Sequence, residues 1–397
     1  MVDKIQKCKD EIVTRKRIQL GTFISEYSVR NKNDLNIPVY SVTNSQGFCK
    51  EYFGKEIASK DKTTYKIVPY GYFAYNPSRI NVGSIDWQRC EEQVIVSPLY
   101  NVFSVSDSID RQFLYYFLKS DIGRQIIQAK ATGSVRDNLK INMLKEMTIP
   151  DICLEEQKRC ANILDKLQKI IEFRKQQLNE LNNLIKSRFI EMFGSGRYPT
   201  VKASEVCDFI TKGTTPPTGE ITEKYEIGMI PYLKVYNLSF TGELLFDNMP
   251  QYISADTHNK QLARSKVLPN DVLMNIVGPP LGKFSLVTDE FSEWNINQAI
   301  AIFRAKDRVL PRYLMAALMQ PNVLRPFLEQ AVGIRQLNLS LEQCRNLEFP
   351  LPPIEEQRAF VELSEQTDKS KTGSGKEPET FRNFEKIAYA AVFWLII

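Results

Sequence analysis

Few side chains of this sequence stand at the spacings that catalysis needs. Phe193-Gly194-Ser195-Gly196 has the glycines of a cofactor loop, but it follows a helical stretch rather than a strand and reads as a helix C-cap. Asn76-Pro77-Ser78 and Gly278-Pro279-Pro280 approach the Asn-Pro-Pro-aromatic string of adenine methyltransferases, and neither has the aromatic at the fourth place. Gly373-Ser374-Gly375-Lys376-Glu377 holds a Gly-Lys pair without the first glycine or the final Ser/Thr of a phosphate loop. The single histidine, His258, has no Cys, Asp or Glu array at ligand spacing, and the seven cysteines form no CxxC pair, so no metal site is expected. The chemistry these residues offer is not catalytic.

What remains is hydrogen bonding from polar loops. Asn76, Arg79, Asn81 and Ser84 form one cluster, and Ser134, Arg136 and Lys140 a second. Lys212, Thr214, Thr215 and Lys234 form a third, followed by Asn275 and Lys283 and then Arg335, Gln336 and Asn338. Side chains of these types bond to base edges in a groove, while Lys, Arg and backbone amides take phosphates. Charge is compatible with such a partner without requiring it. Net charge is +5, yet residues 1–150 carry 22 basic and 16 acidic groups and residues 201–350 carry 15 and 16. A chain that gripped DNA by charge alone would be more basic.

These loops lie on a duplicated scaffold. Aligning residue n with n+200 superposes 111–157 on 311–357 without a gap. Leu114, Leu118, Ala131, Gly133, Asn138, Leu139, Pro150, Glu155, Glu156 and Gln157 recur as the same residues 200 positions later, ten identities in 47 positions. Upstream the echoes need gaps: Ile37-Pro38-Val39-Tyr40 resembles Ile230-Pro231-Tyr232-Leu233, and Val68-Pro69 resembles Leu268-Pro269. Gaps of this kind place loops of different length on a common fold. Each copy reads as mixed: β-rich runs at 92–105 and 295–304, helices over about 110–119 and 121–130 with counterparts at 311–320 and 322–330, and closing strands at 147–150 and 347–350. The fold class expected is α+β: two repeated mixed domains separated by long coiled-coil-forming helices. The divisions expected are 1–150, 151–196, 197–350, 351–371 and an atypical tail, 372–397.

Between the copies, 154–193 contains no proline or glycine. Leu164, Ile171, Leu178, Ile185 and Met192 repeat every seven residues, and the partner position holds Cys160, Leu167, Arg174, Leu181 and Arg188. That is a coiled-coil seam with two basic interruptions. Eight basic and six acidic side chains leave the helix nearly neutral, which suits a spacer and protein-docking surface better than a DNA-binding arm.

Thr148-Ile149-Pro150 … Leu154-Glu155-Glu156-Gln157 and Phe349-Pro350-Leu351-Pro352-Pro353-Ile354-Glu355-Glu356-Gln357 each lead into such a helix. With Ile210-Thr211-Lys212-Gly213-Thr214-Thr215-Pro216-Pro217-Thr218 and residues 75–85, they resemble the specificity subunit of type I restriction–modification systems, from about residue 15 to 371. The resemblance implies two target-recognition domains, each reading one half of a bipartite, asymmetric double-stranded DNA sequence. It implies antiparallel helices that set the gap and dock the methyltransferase (M) subunits, with restriction/translocase (R) subunits joining them. S-adenosylmethionine, ATP and Mg2+ then belong to the partners, and none binds here directly. The polar clusters above become the DNA-reading candidates, and Leu164, Leu167, Ile171, Leu178, Leu181 and Ile185 the helix seam. The sequence departs from the family after Lys371: Thr372-Gly373-Ser374-Gly375-Lys376-Glu377-Pro378 breaks the second helix, as a frameshifted or recombined end would, leaving 355–371 to pair with the first.

Three other readings stay open at this point. They are the recognition subunit of a related fused restriction system, a non-catalytic coiled-coil adaptor that binds protein, and a self-contained methyltransferase or nuclease, which the missing motifs oppose. The longest apolar run, 387–397, is too short to span a bilayer, and the charged N-terminus lacks the apolar core of an export signal, so a reduced cytoplasm is expected.

Overall fold

The computed structural model describes residues 16–50, 61–131, 138–333 and 337–372. The chain divides into two compact units at Phe173/Arg174, within the uninterrupted helix Leu154–Phe193.

The first unit is closed by its own ends. Arg17–Gln19 pairs antiparallel with Thr148–Pro150, Ile18 opposite Ile149. Its main sheet has the order Ile24–Glu26, Asn101–Val105, Phe73–Tyr75, Ile85–Trp87, antiparallel throughout. Phe73, Tyr75 and Phe103 are fully buried there, with the rings of Phe73 and Phe103 stacked at 5.1 Å. Helices Arg111–Lys119 and Asp121–Lys130 cover the sheet. Asp110 caps the first by accepting from the Phe113 amide at 2.8 Å, and Ser120 caps the second through the Gly123 amide at 3.1 Å.

The second unit repeats the closing strand pair, the four-stranded main sheet and the two helices of this plan. Thr200–Lys202 pairs with Glu348–Pro350, Val201 opposite Phe349. The main sheet runs Cys207–Lys212, Ile300–Ala305, Val272–Asn275, Phe284–Leu286. Helices Pro311–Leu318 and Pro321–Glu329 start on prolines, which suit a first turn whose amides have no partner inside the helix. The recurring leucines are core: Leu114, Leu118 and Leu139 are fully buried, as are Leu314 and Leu318, with Leu339 at 4%.

The recurring Glu-Glu-Gln has a physical reason. Gln157 is buried at the start of the central helix, accepts from the Asp110 amide at 2.8 Å and donates to the Ile152 carbonyl at 2.9 Å. Gln357 does the same, accepting from Leu310 N at 2.9 Å and donating to Pro352 O at 2.9 Å. One amide thus ties the start of a long helix to the start of the helix it packs on, twice. Two hundred positions also relate the next contact along: Asp165 accepts from Gln112 and Tyr116, while Arg312 reaches Glu365 and Asp368.

Two expectations gain detail. The β-rich runs are each two strands, Gln93–Val96 with Asn101–Val105 and Trp294–Ile296 with Ile300–Ala305. In both units the chain turns between them to pass from a smaller sheet into the main one. The heptad seam is not uniform either. Leu164 and Leu167 pack into the core of the first unit and Ile185 against that of the second, while Leu178 and Leu181 are half-buried.

Within the second unit, Ile354–Thr372 runs antiparallel to the central helix. Phe360 meets Phe189 at 5.3 Å and Phe193 at 5.8 Å, and further along Arg174 Nη2 donates to Lys371 O at 2.5 Å. The basic interruption at Arg174 therefore satisfies a carbonyl in the last turn of the partner helix. Arg188, the other interruption, is exposed and pairs with Glu191 at 2.6 Å. The tail, 373–397, lies outside the described residues.

Candidate nucleic-acid interface

In the first unit, Phe73–Tyr75 leads into the loop holding Asn76, Arg79, Asn81 and Ser84. Asn76 Oδ1 accepts from the Ser78 amide at 3.1 Å, and its own amide donates to Ser84 O at 3.2 Å, closing the loop at its base. Arg79 is exposed and Asn81 half-exposed. Leu139, from the recurring Asn-Leu pair, is stitched to the same loop. Its amide donates to Pro77 O at 3.2 Å and its carbonyl accepts from Tyr75 OH at 3.0 Å. Exposed Asn138 and Lys140 are thereby brought beside Asn76–Ser84.

The second unit gathers its loops at the corresponding end. Leu339 N donates to Ile276 O at 2.9 Å and Gly278 N to Leu337 O at 2.9 Å, so Asn338 adjoins the loop after Val272–Asn275. Lys212 lies opposite Ala301 and Asn275 opposite Ile300, which sets the loop Gly213–Pro217 at that end as well. Gly213 is there because nothing larger fits: a Cβ would lie 2.1 Å from Asn297 O. Lys283 is half-buried, with its ammonium 5.8 Å from the Phe240 ring centre.

Two expected readers belong to the scaffold instead. Ser84 is 2% exposed and donates from Oγ to Val42 O at 2.5 Å, fastening the hairpin Ser41–Cys49 to the sheet. Asp86, whose carboxyl burial holds above the usual range, grips the same hairpin through Phe48 N at 3.1 Å. Gly47 lets it approach: a Cβ would stand 1.9 Å from Asp86 Oδ2. Asn275 is fully buried, donating to Pro280 O at 3.0 Å and accepting from Lys283 N at 2.7 Å. Both side chains are spent on loop geometry. Ser134, Arg136, Arg335 and Gln336 lie outside the described residues. Arg264 and Gln298, which no motif singles out, adjoin Thr214 and Thr215. Their signal was the register of the strands around them, and no string motif contains it.

Among the described residues no group of three or more His, Cys, Asp or Glu could hold an ion. Burial pushes the thiols of Cys207 and Cys344 up to about 12, far from thiolate chemistry. His258 is fully buried, its Nδ1 3.0 Å from Asn295 Nδ2 and its Nε2 3.3 Å from Glu293 Oε2. No helix of the described residues is long and apolar enough to cross a membrane.

A duplicated α+β unit with polar loops at one end of each main sheet, joined by a long helix, defines a class of recognition protein. The pattern of the Type I restriction modification DNA specificity domain matches residues 16–183 and again 197–377. The chain belongs to that family. It is a non-catalytic specificity subunit whose role is DNA target recognition, catalysis lying on partner subunits. Among relatives, the type I restriction enzyme EcoBI specificity subunit of Escherichia coli is 24% identical, the match covering 75% of this chain and 68% of that one. The MjaVIII specificity subunit of Methanocaldococcus jannaschii is 22% identical over 74% of this chain and 72% of its own. A chain from a structural study of type I restriction–modification complex assembly and conformational transition shares the fold with TM-score 0.53 at 17% identity, covering 96% of this chain and 95% of that chain. The type I S subunit from M. genitalium shares it with TM-score 0.52 at 13% identity, covering 96% of each.

Proposed function

We propose that the recognition domains, 1–150 and 197–350, each read one half of a bipartite, asymmetric DNA target. The segments 151–196 and 351–371 space them and dock the M subunits. The observation that carries this reading is the shared position of the polar loops. In both units they leave the same end of the same four-stranded sheet, while their residues differ. A scaffold shared by the two units, with loops that differ, suits two different half-sites. The central helix of 40 residues is about 60 Å long at 1.5 Å per residue. Major-groove sites one or two turns apart lie ~35–70 Å from each other.

Exposed Ile170, Phe173, Leu184 and Ile190 on that helix, 44–61% accessible, supply apolar surface for the M subunits. R subunits join through that complex, S-adenosylmethionine, ATP and Mg2+ serve the partners, and the assembly works in the cytoplasm. The test uses the full chain assembled with its methyltransferase subunits. Arg79→Ala should weaken binding or relax one half-site, leaving the other half intact. An unchanged affinity and methylation pattern removes the 76–84 loop from the interface.

A further inference from the structure

The smaller sheet of the second unit brings together side chains that no sequence motif joins. Ile230–Leu233 runs parallel to Trp294–Ile296, with Leu233 opposite Ile296, so Lys234 and Gln298 leave the sheet at the same edge. Lys266–Val267 runs antiparallel to Trp294–Ile296, with Lys266 opposite Asn295, so Arg264 enters at that edge too. The loop after Lys212 is pressed onto it. Arg264 Nε donates to Thr214 Oγ1 at 2.9 Å, and Gln298 N approaches Thr215 Oγ1 at 3.5 Å. Thr214 is itself fixed, its carbonyl accepting from Tyr232 OH at 3.1 Å. Two cations, Lys234 and Arg264, thus share one edge, with Lys212 at the start of the loop packed on it, and among the described residues none of the three is ion-paired to a carboxylate.

We propose that Arg264 is a base-reading residue of the second unit, its guanidinium forked onto the major-groove edge of a guanine, with Gln298 beside it. The assignment rests on the reading of this unit as a DNA-recognition domain. The side chain is pre-organised for this contact. The Nε bond to Thr214 fixes the guanidinium plane, and among the described residues neither Nη group has a partner, which is the arrangement that meets O6 and N7 together. A phosphate needs only a nearby positive charge, which Lys212 and Lys234 supply without an anchor. Arg264 is exposed, so its replacement leaves the core untouched.

The test is selection from a randomised duplex library by the full chain assembled with its methyltransferase subunits, at two salt concentrations. Arg264→Ala should relax one base pair of one half-site and lower cognate affinity ~10- to 100-fold, leaving the other half unchanged. Arg264→Lys keeps the charge and loses the fork, so it should show the same relaxation. Thr214→Val, which removes the anchor and keeps the guanidinium, should relax the same position more weakly. Full rescue by lysine, or loss spread evenly over all sequences, makes Arg264 a phosphate contact and overturns the assignment, as does an unchanged selection. A wild-type complex that selects no sequence sinks the recognition reading, and this assignment with it. Wild-type selection with unaltered Arg264→Ala sinks the assignment alone.

Discussion

Asn295 and Glu293 hold the protein's single imidazole from both sides, and that arrangement fixes how the second unit responds to acid. The Asn295 amide donates to Nδ1 of His258, so the remaining proton sits on Nε2, facing Glu293. Burial, with Lys266 nearby, lowers the pKa of His258 below 6.5, against the opposing pull of Glu293. The unfolded chain therefore takes up a proton first as pH falls. The stability involved is fully present above about pH 6.5 and is lost below it, down to the folded pKa, by at most about 1.4 kcal/mol per pH unit. Urea midpoints of the second unit should fall between pH 7 and pH 5, and His258→Gln should flatten that slope even if it lowers stability overall. An unchanged slope would assign the acid sensitivity to other groups. In the sequence His258 has no Cys, Asp or Glu array at ligand spacing. The sequence could not show the burial, because Asn295 and Glu293 lie more than 30 positions away.

At the scale of elements, the legible parts were those with local causes. Helices capped by Asp110 and Ser120, or opened by Pro311 and Pro321, announce themselves in a few residues. The turns at Ser97-Pro98 and Asn297-Gln298 are local too, but that each passes the chain from one sheet to another is not. Nor could heptad spacing separate side chains that pack on a domain, such as Leu164, from those along the helix pair. The recurring glutamine was visible as an identity but not as a clamp. Gln157→Ala should leave the Asp110 amide and Ile152 carbonyl without their partner, costing about 1–3 kcal/mol for each group left unpaired. Hydrogen exchange should quicken around Asp110 and stay unchanged around Leu310, with Gln357→Ala giving the reverse. Equal effects in both units would contradict two independent clamps.

For the whole molecule, duplication was the strongest signal in the sequence, because core positions such as Leu114/Leu314 and Leu118/Leu318 tolerate little change. The recognition loops carried no comparable signal. Their residues must differ if the half-sites differ, so self-comparison erases the positions that matter. Register brings the proposed reader Arg264 to Thr214 across 50 positions. It also withdrew Ser84 and Asn275. The central claim, one reader per unit, is tested most directly by sequencing the methylated bases of a host with and without this gene. One gene-dependent motif of two specified parts, unequal in sequence and separated by a fixed run of unspecified bases, is expected. A single uninterrupted motif, or no motif that depends on the gene, would contradict that claim.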